Sequence, residues 1–545
     1  LDGSVVRSSD GPAEGTHDRA GRDDAPPAPE PARSPIDERA ATDSPDSATL
    51  DPLDSAAADV LDSTAAGGLI IRGGAMRLAS YVGVVVLSVL ATALLTRHLG
   101  VALFGHYTTV ISLVSVVSVV TDAGMSNLGT REYAVRVGAD RDALLRDLLG
   151  LRISLTLVGV VLATAFALAA GYDTALLAGT VVAGLATIAL VFQHTLSIPL
   201  GAKLRLGAIS SLELVRQVLT VVAIVVLIAL GAGVFPLLAV ALLVNLVLVP
   251  VTAALVRGEI SMRVQLRPRR WLALLTLTVY FTLATAVGTI YVYTAQILTS
   301  LVASEHQSGL FAASFRVFVV AAGVPGLLVG GALPLLARAA RDDRDRLGYA
   351  LQRIFEVSLI LGVAAAVGML AGAQFVIAVI AGPKFAASAA GLRILGIAMV
   401  ASFLTAGWGF ALISVKRYGA LLLANGAAFL VSCALTLSLA ATHGANGAAL
   451  ATLCGEVTLA AASLIALVRR QPELRPELAI APKVAIAAIP AVAVALLPGP
   501  SSLLRAVLAL AVYALLIALT RAVPREILEL VPRSRWAKAR SGPSR

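Results

Sequence analysis

Charge is scarce in this chain. Only 14% of its 545 residues are Asp, Glu, Lys or Arg, about half the share usual in soluble domains. Aromatic residues make up 5%, and there are two cysteines, Cys433 and Cys454, both inside apolar runs. Cysteines so placed supply neither a disulfide framework nor metal-ligand spacing, and they read as small core residues. There is no Walker A sequence, no G-x-S-x-G elbow and no loop cluster of His, Asp and Glu, and the six histidines are scattered. These absences exclude P-loop nucleotide hydrolysis and the serine-hydrolase elbow. The expectation is a chain that is not an enzyme and carries no cofactor and no metal. A basic balance can mean nucleic acid, but here it is read as loop charge of a membrane protein, with no nucleic-acid partner.

What is present is apolar. The chain is 58% hydrophobic with a mean hydropathy of +0.87, the composition of a protein built from membrane spans of roughly 20 apolar residues each. Fourteen candidate runs lie near 73–96, 105–125, 151–170, 174–198, 213–231, 234–256, 272–300, 308–337, 354–380, 388–414, 418–440, 446–468, 480–498 and 502–522. Pro383 and Lys384 mark a break between the ninth and tenth. The fold class expected is an all-α polytopic membrane protein with about fourteen transmembrane helices. They form two pseudo-symmetric six-helix lobes, 73–256 and 272–468, plus two C-terminal helices over 480–522.

Residues 1–68 hold fifteen acids and five arginines and little that can be buried, so they are expected to be a disordered acidic tail. It has no apolar core of the kind a signal peptide needs. Residues 523–545 form a basic tail. Basic residues set the orientation. With both termini in the cytoplasm, the inner segments carry 33 Lys and Arg and the outer ones five: Arg97, Arg316, Lys384, Arg393 and Arg505. The expected location is therefore the cell membrane, multi-pass, with both termini cytoplasmic.

A weak internal repeat supports the two lobes. Arg97-His98-Leu99-Gly100-Val101-Ala102-Leu103-Phe104-Gly105-His106-Tyr107 joins spans one and two. Val302-Ala303-Ser304-Glu305-His306-Gln307-Ser308-Gly309-Leu310-Phe311 joins spans seven and eight. In each, a glycine two residues before an aromatic (Gly105 and Tyr107, Gly309 and Phe311) opens the next helix, and a basic loop follows that helix. Two related lobes around a midplane cavity is a transporter plan.

The stretch Leu99-Gly100…Phe104-Gly105-His106-Tyr107, then Ser112-Leu113, Asp122-Ala123-Gly124-Met125 and Arg131-Glu132 resembles the first two helices of the polysaccharide-biosynthesis flippases. These Wzx-type proteins belong to the multidrug/oligosaccharidyl-lipid/polysaccharide exporter superfamily. Gly309-Leu310-Phe311-Ala312-Ala313…Arg316…Pro325…Pro334 resembles the family's eighth helix. Ile380-Ala381-Gly382-Pro383-Lys384-Phe385-Ala386…Leu392-Arg393-Ile394-Leu395 resembles its join of helices nine and ten. The resemblance spans 73–522, and the acidic tail departs from it. It implies a flippase that moves an undecaprenyl-diphosphate-linked oligosaccharide across the inner membrane for cell-surface polysaccharides such as O-antigen. Its partners would be that lipid-linked glycan, membrane lipids and other polysaccharide-assembly proteins. Related alternatives are a lipid II flippase or a multidrug antiporter. An alternative of another class is a membrane polymerase or ligase, which would need the outer catalytic loop this chain lacks.

Charges inside spans are costly and mark function. Arg316, about eight residues into span eight, either lines a lumen and binds diphosphate or snorkels to the outer interface. Arg97, Arg216 and Gln296 join it as lumen candidates. Glu456, mid-span in helix twelve, is a candidate for ion coupling or for a salt bridge with Arg316. Asp122, Arg131 and Glu132 are gate candidates at the inner end of span two. Gly323, Pro325 and Pro334 are hinge candidates in span eight, where proline frees a carbonyl and permits a bend.

Overall fold

The computed structural model describes residues 64–122, 124–203, 205–257, 271, 279–330 and 333–522. The acidic and basic tails fall outside them, apart from the first residues of the first helix. Among the described residues there is no strand, and twelve continuous helical segments are long and apolar enough to cross a membrane. Two of these are too long for one crossing. Ser80–Asp122 has 43 residues and Tyr418–Val468 has 51, roughly 65 and 76 Å at 1.5 Å per residue, against a hydrocarbon core of about 30 Å. Each breaks at a glycine in a conformation closed to other residues: Gly100 at φ 74°, ψ −175° and Gly444 at φ 54°, ψ −131°. The two breaks turn twelve segments into fourteen spans.

In chain order these are α1 (64–99), α2 (101–122), α3 (Gly138–Ala169), α4 (Thr174–Leu196), α5 (Leu206–Ala229), α6 (Val234–Leu255) and α7 (Val279–Val302). They continue as α8 (Glu305–Gly330), α9 (Arg344–Ile380), α10 (Ser388–Ser414), α11 (418–443), α12 (445–468), α13 (Ala481–Ala495) and α14 (Ser502–Leu519). α4 packs on α3 and α6, α5 on α6, and α10 on α8, α9 and α12, while α7 and α12 both pack on α11. α13 and α14 pack on each other and on α9. Their small inner faces, Ala487, Ala491 and Ala509, are fully buried there, as suits helices that associate by close approach in lipid.

Several boundaries differ from the apolar runs. α3 starts at Gly138 rather than near 151, and α9 at Arg344 rather than near 354. In both, about three Arg- and Asp-bearing turns extend the helix beyond its apolar stretch, and hydropathy does not register them. Asp343 caps α9 by accepting from the Arg346 amide at 2.9 Å. Gly323 and Pro325 lie within α8 as described to Gly330, and Pro334 lies in the helical stretch Leu333–Asp342, with residues 331–332 outside the described residues. Between α9 and α10 the chain turns through Gly382 (φ 86°) and a 3₁₀ turn, Pro383–Phe385, whose Phe385 is buried.

Because the spans alternate in direction, the connections after α2, α4, α6, α8, α10 and α12 share one end of the bundle. Arg131, Arg136, Lys203, Arg205, Arg341, Arg344, Arg417 and Arg469 all lie at that end. The opposite, arginine-poor end holds Arg97, Lys384 and the α7–α8 turn.

Candidate functional site

A cavity of about 220 Å³ lies between the first six spans and the second six. Each wall follows a helical repeat. α2 contributes Phe104, Tyr107, Thr108, Ile111 and Ser112, and α8 contributes Ala312, Phe315, Arg316 and Val319. Ser88 and Thr92 come from α1, Gln217 and Thr220 from α5, and Tyr293 and Gln296 from α7. Several hydroxyls spend their proton on their own helix. Thr92 Oγ1 donates to Ser88 O at 2.9 Å, Thr108 to Phe104 O at 3.0 Å and Thr220 to Arg216 O at 2.8 Å. Their oxygen lone pairs stay available as acceptors.

Arg316 sits eleven residues into α8, about 16 Å along the helix axis, deeper than the apolar run implies. It is exposed, yet it borders the cavity rather than the bundle's rim, and its Nη2 donates to Ser88 Oγ on α1 at 2.9 Å. A second link crosses the cavity roof. Gln296 is buried, and its Nε2 donates to Ser308 Oγ at 3.0 Å and, at the limit of hydrogen bonding, to Thr109 Oγ1 at 3.5 Å.

Beyond this roof the two halves meet at the arginine-poor end. Tyr172 and Ser300 share a hydrogen bond of 2.8 Å, and His106 lies 3.2 Å from Glu305. Burial raises the Tyr172 phenol above its ordinary pKa, against the smaller opposing effect of its bond to Ser300. The phenol therefore stays protonated at neutral pH and keeps this link. Thr96 Oγ1 donates to Ile380 O at 3.1 Å. Phe104 meets Phe385 edge-on with ring centroids 5.9 Å apart. α2 and α8 touch through glycine: a Cβ on Gly309 would lie 1.9 Å from Val101 O.

The other expected site residues sit elsewhere. Arg97 does not border the cavity; its Nη2 donates to Val379 O at 2.7 Å, tying α1 to the end of α9 at the arginine-poor end. Arg216 turns away from the cavity that its neighbour Gln217 borders. It bonds Glu213 Oε2 at 3.1 Å and Gln193 Oε1, with His194 Nε2 at 3.3 Å. Gln193 in turn donates to Thr252 Oγ1 at 3.0 Å, so Arg216 holds α4, α5 and α6 together.

Among the described residues, no contact links Asp122 to Arg131 or Glu132. Arg131 is exposed, and Glu132 pairs with Arg136 at 3.0 Å. Asp122 accepts from Arg152 Nη2 at 2.6 Å and from Ser126 Oγ at 2.5 Å. Arg152, one of the 33 basic residues assigned to the inner segments, is fully buried. Removing one partner of such a pair strands the other charge. Asp122→Ala is expected to cost about 2 kcal/mol, discounted because the Asp122 side chain is 42% exposed. The double variant Asp122→Ala with Arg152→Leu should recover most of that loss in detergent thermal-unfolding measurements. If the double variant is the less stable of the two, the stranded-charge account is wrong.

Glu456 is buried in α12, and Tyr291 of α7 donates to its Oε1 at 3.1 Å. The salt bridge with Arg316 is not formed. Tyr291→Phe is expected to lower stability by about 1 kcal/mol, the net worth of a buried hydrogen bond. Glu456→Ala should cost more, because it removes the larger side chain and leaves the phenol only the long bond to Thr452 O at 3.5 Å. Equal melting temperatures for wild type and Tyr291→Phe would remove this bond from the account.

The sequence model described as polysaccharide biosynthesis protein matches residues 94–390, more than half of the chain. No curated protein sequence matches. Among solved structures, the chain is similar to a lipid II flippase, MurJ, in an inward closed conformation: 12% identity, TM-score 0.69, covering 83% of this chain and 99% of that one. It is also similar to an inward-facing multidrug resistance MATE family transporter of the MOP superfamily, at 14% identity and TM-score 0.55, covering 73% of this chain and 94% of that one. At such identities the likeness is one of fold.

Proposed function

The chain belongs to the polysaccharide biosynthesis protein family, and on that premise we propose that it is a flippase. It moves a polyprenyl-diphosphate-linked oligosaccharide from the cytoplasmic to the outer leaflet by alternating access, without chemistry on the substrate. The observation that carries the proposal is Arg316: a guanidinium exposed at membrane depth, bordering a hydroxyl-rich cavity between two six-helix halves. A sugar headgroup cannot cross hydrocarbon unaided, because each unpaired polar group costs several kcal/mol. A cavity that offers hydrogen bonds and one cation to a diphosphate offsets that cost.

The arginine-rich end faces the cytoplasm by the positive-inside rule, which puts both termini there. The halves are joined at the opposite end, so the conformation is closed to the outside. At about 220 Å³ the cavity is smaller than the roughly 300–1,000 Å³ of ligand pockets, so loading an oligosaccharide requires the halves to part at the cytoplasmic end. Gly323 and Pro325 are the proposed bending points of α8, and Glu456 is the proposed coupling carboxylate. Other polysaccharide-assembly proteins are the proposed partners.

The test is to delete the protein and determine which leaflet holds the lipid-linked glycans. Accumulation of a complete lipid-linked oligosaccharide on the cytoplasmic leaflet is the expected result. Normal export, with unpolymerised units on the outer leaflet, would overturn the flippase reading in favour of a polymerase or ligase.

A further inference from the structure

The charges in the central cavity specify the headgroup further, an inference that rests on the flippase reading. Among the described residues that border the cavity, Arg316 is the one charged group; there is no carboxylate and no second cation. Other cations within the bundle are committed elsewhere: Arg97 to Val379 O at the far end of α1, Arg216 to Glu213 inside the first half and Arg152 to Asp122. The remaining polar lining is neutral, with hydroxyl acceptors such as Thr92 and Thr220, the amide of Gln217, and the rings of Tyr107 and Tyr293.

We infer that the cavity takes a headgroup with one anionic centre, its phosphate or diphosphate, bearing neutral sugars, and that it discriminates against headgroups with additional carboxylates. Arg316 satisfies a single anionic centre, because one planar guanidinium presents one fork of donors. Its present partner, the Ser88 hydroxyl, is neutral and is displaced without stranding a charge. Sugar hydroxyls donate to the free lone pairs of the threonines, and sugar ring faces lie against the aromatic walls. A uronic acid has no such place. Its carboxylate enters a low-dielectric space beside the diphosphate with no counter-charge, which is the costly arrangement.

Binding of two synthetic lipids to the full-length protein in nanodiscs tests this. One is a short polyprenyl diphosphate carrying a neutral disaccharide; the other is the same molecule with the terminal sugar oxidised at C6 to the uronate. The neutral lipid is expected to bind at least about tenfold tighter, the scale of one uncompensated charge in such a site. Gln217→Arg, which adds a cation at a cavity position of similar size, is expected to narrow the gap about tenfold while still binding the neutral lipid. Equal binding of both lipids by the wild type, or preference for the uronate, overturns the inference and leaves the flippase reading intact. A wild-type gap that Gln217→Arg leaves unchanged overturns the charge argument. Binding of neither lipid overturns the flippase reading and the inference with it.

Discussion

Replacing Arg316 by glutamine is expected to reduce transport at least a hundredfold while the protein remains folded. The guanidinium is the cavity's one cation among the described residues, and it is exposed to the cavity rather than packed into the core. A charge-assisted hydrogen bond is worth about 1.5–3 kcal/mol. A fork that makes two of them to the diphosphate therefore accounts for two decades or more of binding. Arg316→Lys keeps the charge but loses the fork, so about a tenfold loss is expected. Ser88→Ala removes only the resting partner of Arg316 and should leave transport within a few-fold of wild type. The order glutamine, lysine, wild type, measured as leaflet transfer of a fluorescent polyprenyl-diphosphate glycan in proteoliposomes, separates a substrate contact from a structural one. A glutamine variant that transports at the wild-type rate, with melting temperature unchanged, would remove Arg316 from the site and the proposed function with it.

Arg316 was legible in the sequence because a lone charge in an apolar run is conspicuous, and so were the fourteen spans. The rest of the cavity was hidden for a physical reason. In a membrane helix the lipid face and the core face are both apolar, so hydropathy does not say which turn of α2 or α5 faces inward. Phe104, Tyr107, Thr108, Ile111 and Ser112 do recur at helical spacing, and that signal becomes readable once α8 is seen opposite with its own repeat around Arg316. Isolated threonines such as Thr92 and Thr220 look like ordinary back-bonding residues, which they also are. Arg152 was obscured differently. It follows a series of loop arginines at the very edge of the third apolar run, and the helix that begins at Gly138 places it inside the bundle against Asp122. Arg97 and Arg216 show the converse: charges near membrane depth that the fold spends on holding helices together.

Substituting valine at Gly309 is expected to have a large structural effect from outside the cavity. The sequence marks Gly309 only as the counterpart of Gly105 in a weak repeat. In the structure, a Cβ on Gly309 would lie 1.9 Å from Val101 O and 2.9 Å from Val101 Cγ1, and one on Gly105 would lie 2.9 Å from Gly309 N. The first obstacle is a backbone carbonyl, so no rotamer change relieves it, and α2 and α8 must move apart. Overpacking of this kind costs about 3 kcal/mol at the upper end of the usual range. The movement also separates the groups that close the arginine-poor end, His106 from Glu305 and Phe104 from Phe385. Gly309→Val should therefore lower the melting temperature and raise the labelling of a cysteine placed at Ser300 by a membrane-impermeant thiol reagent from the outside. Gly326→Ala in the same helix is the control, because a Cβ there meets nothing within 4 Å. It should be neutral, or stabilising by about 0.5–1 kcal/mol through lost backbone entropy in the unfolded chain. If Gly309→Val leaves both melting temperature and labelling at the control's level, then the glycine contact between α2 and α8 is not what holds the arginine-poor end shut. Closure would then rest on the polar links at Tyr172 and Arg97 instead.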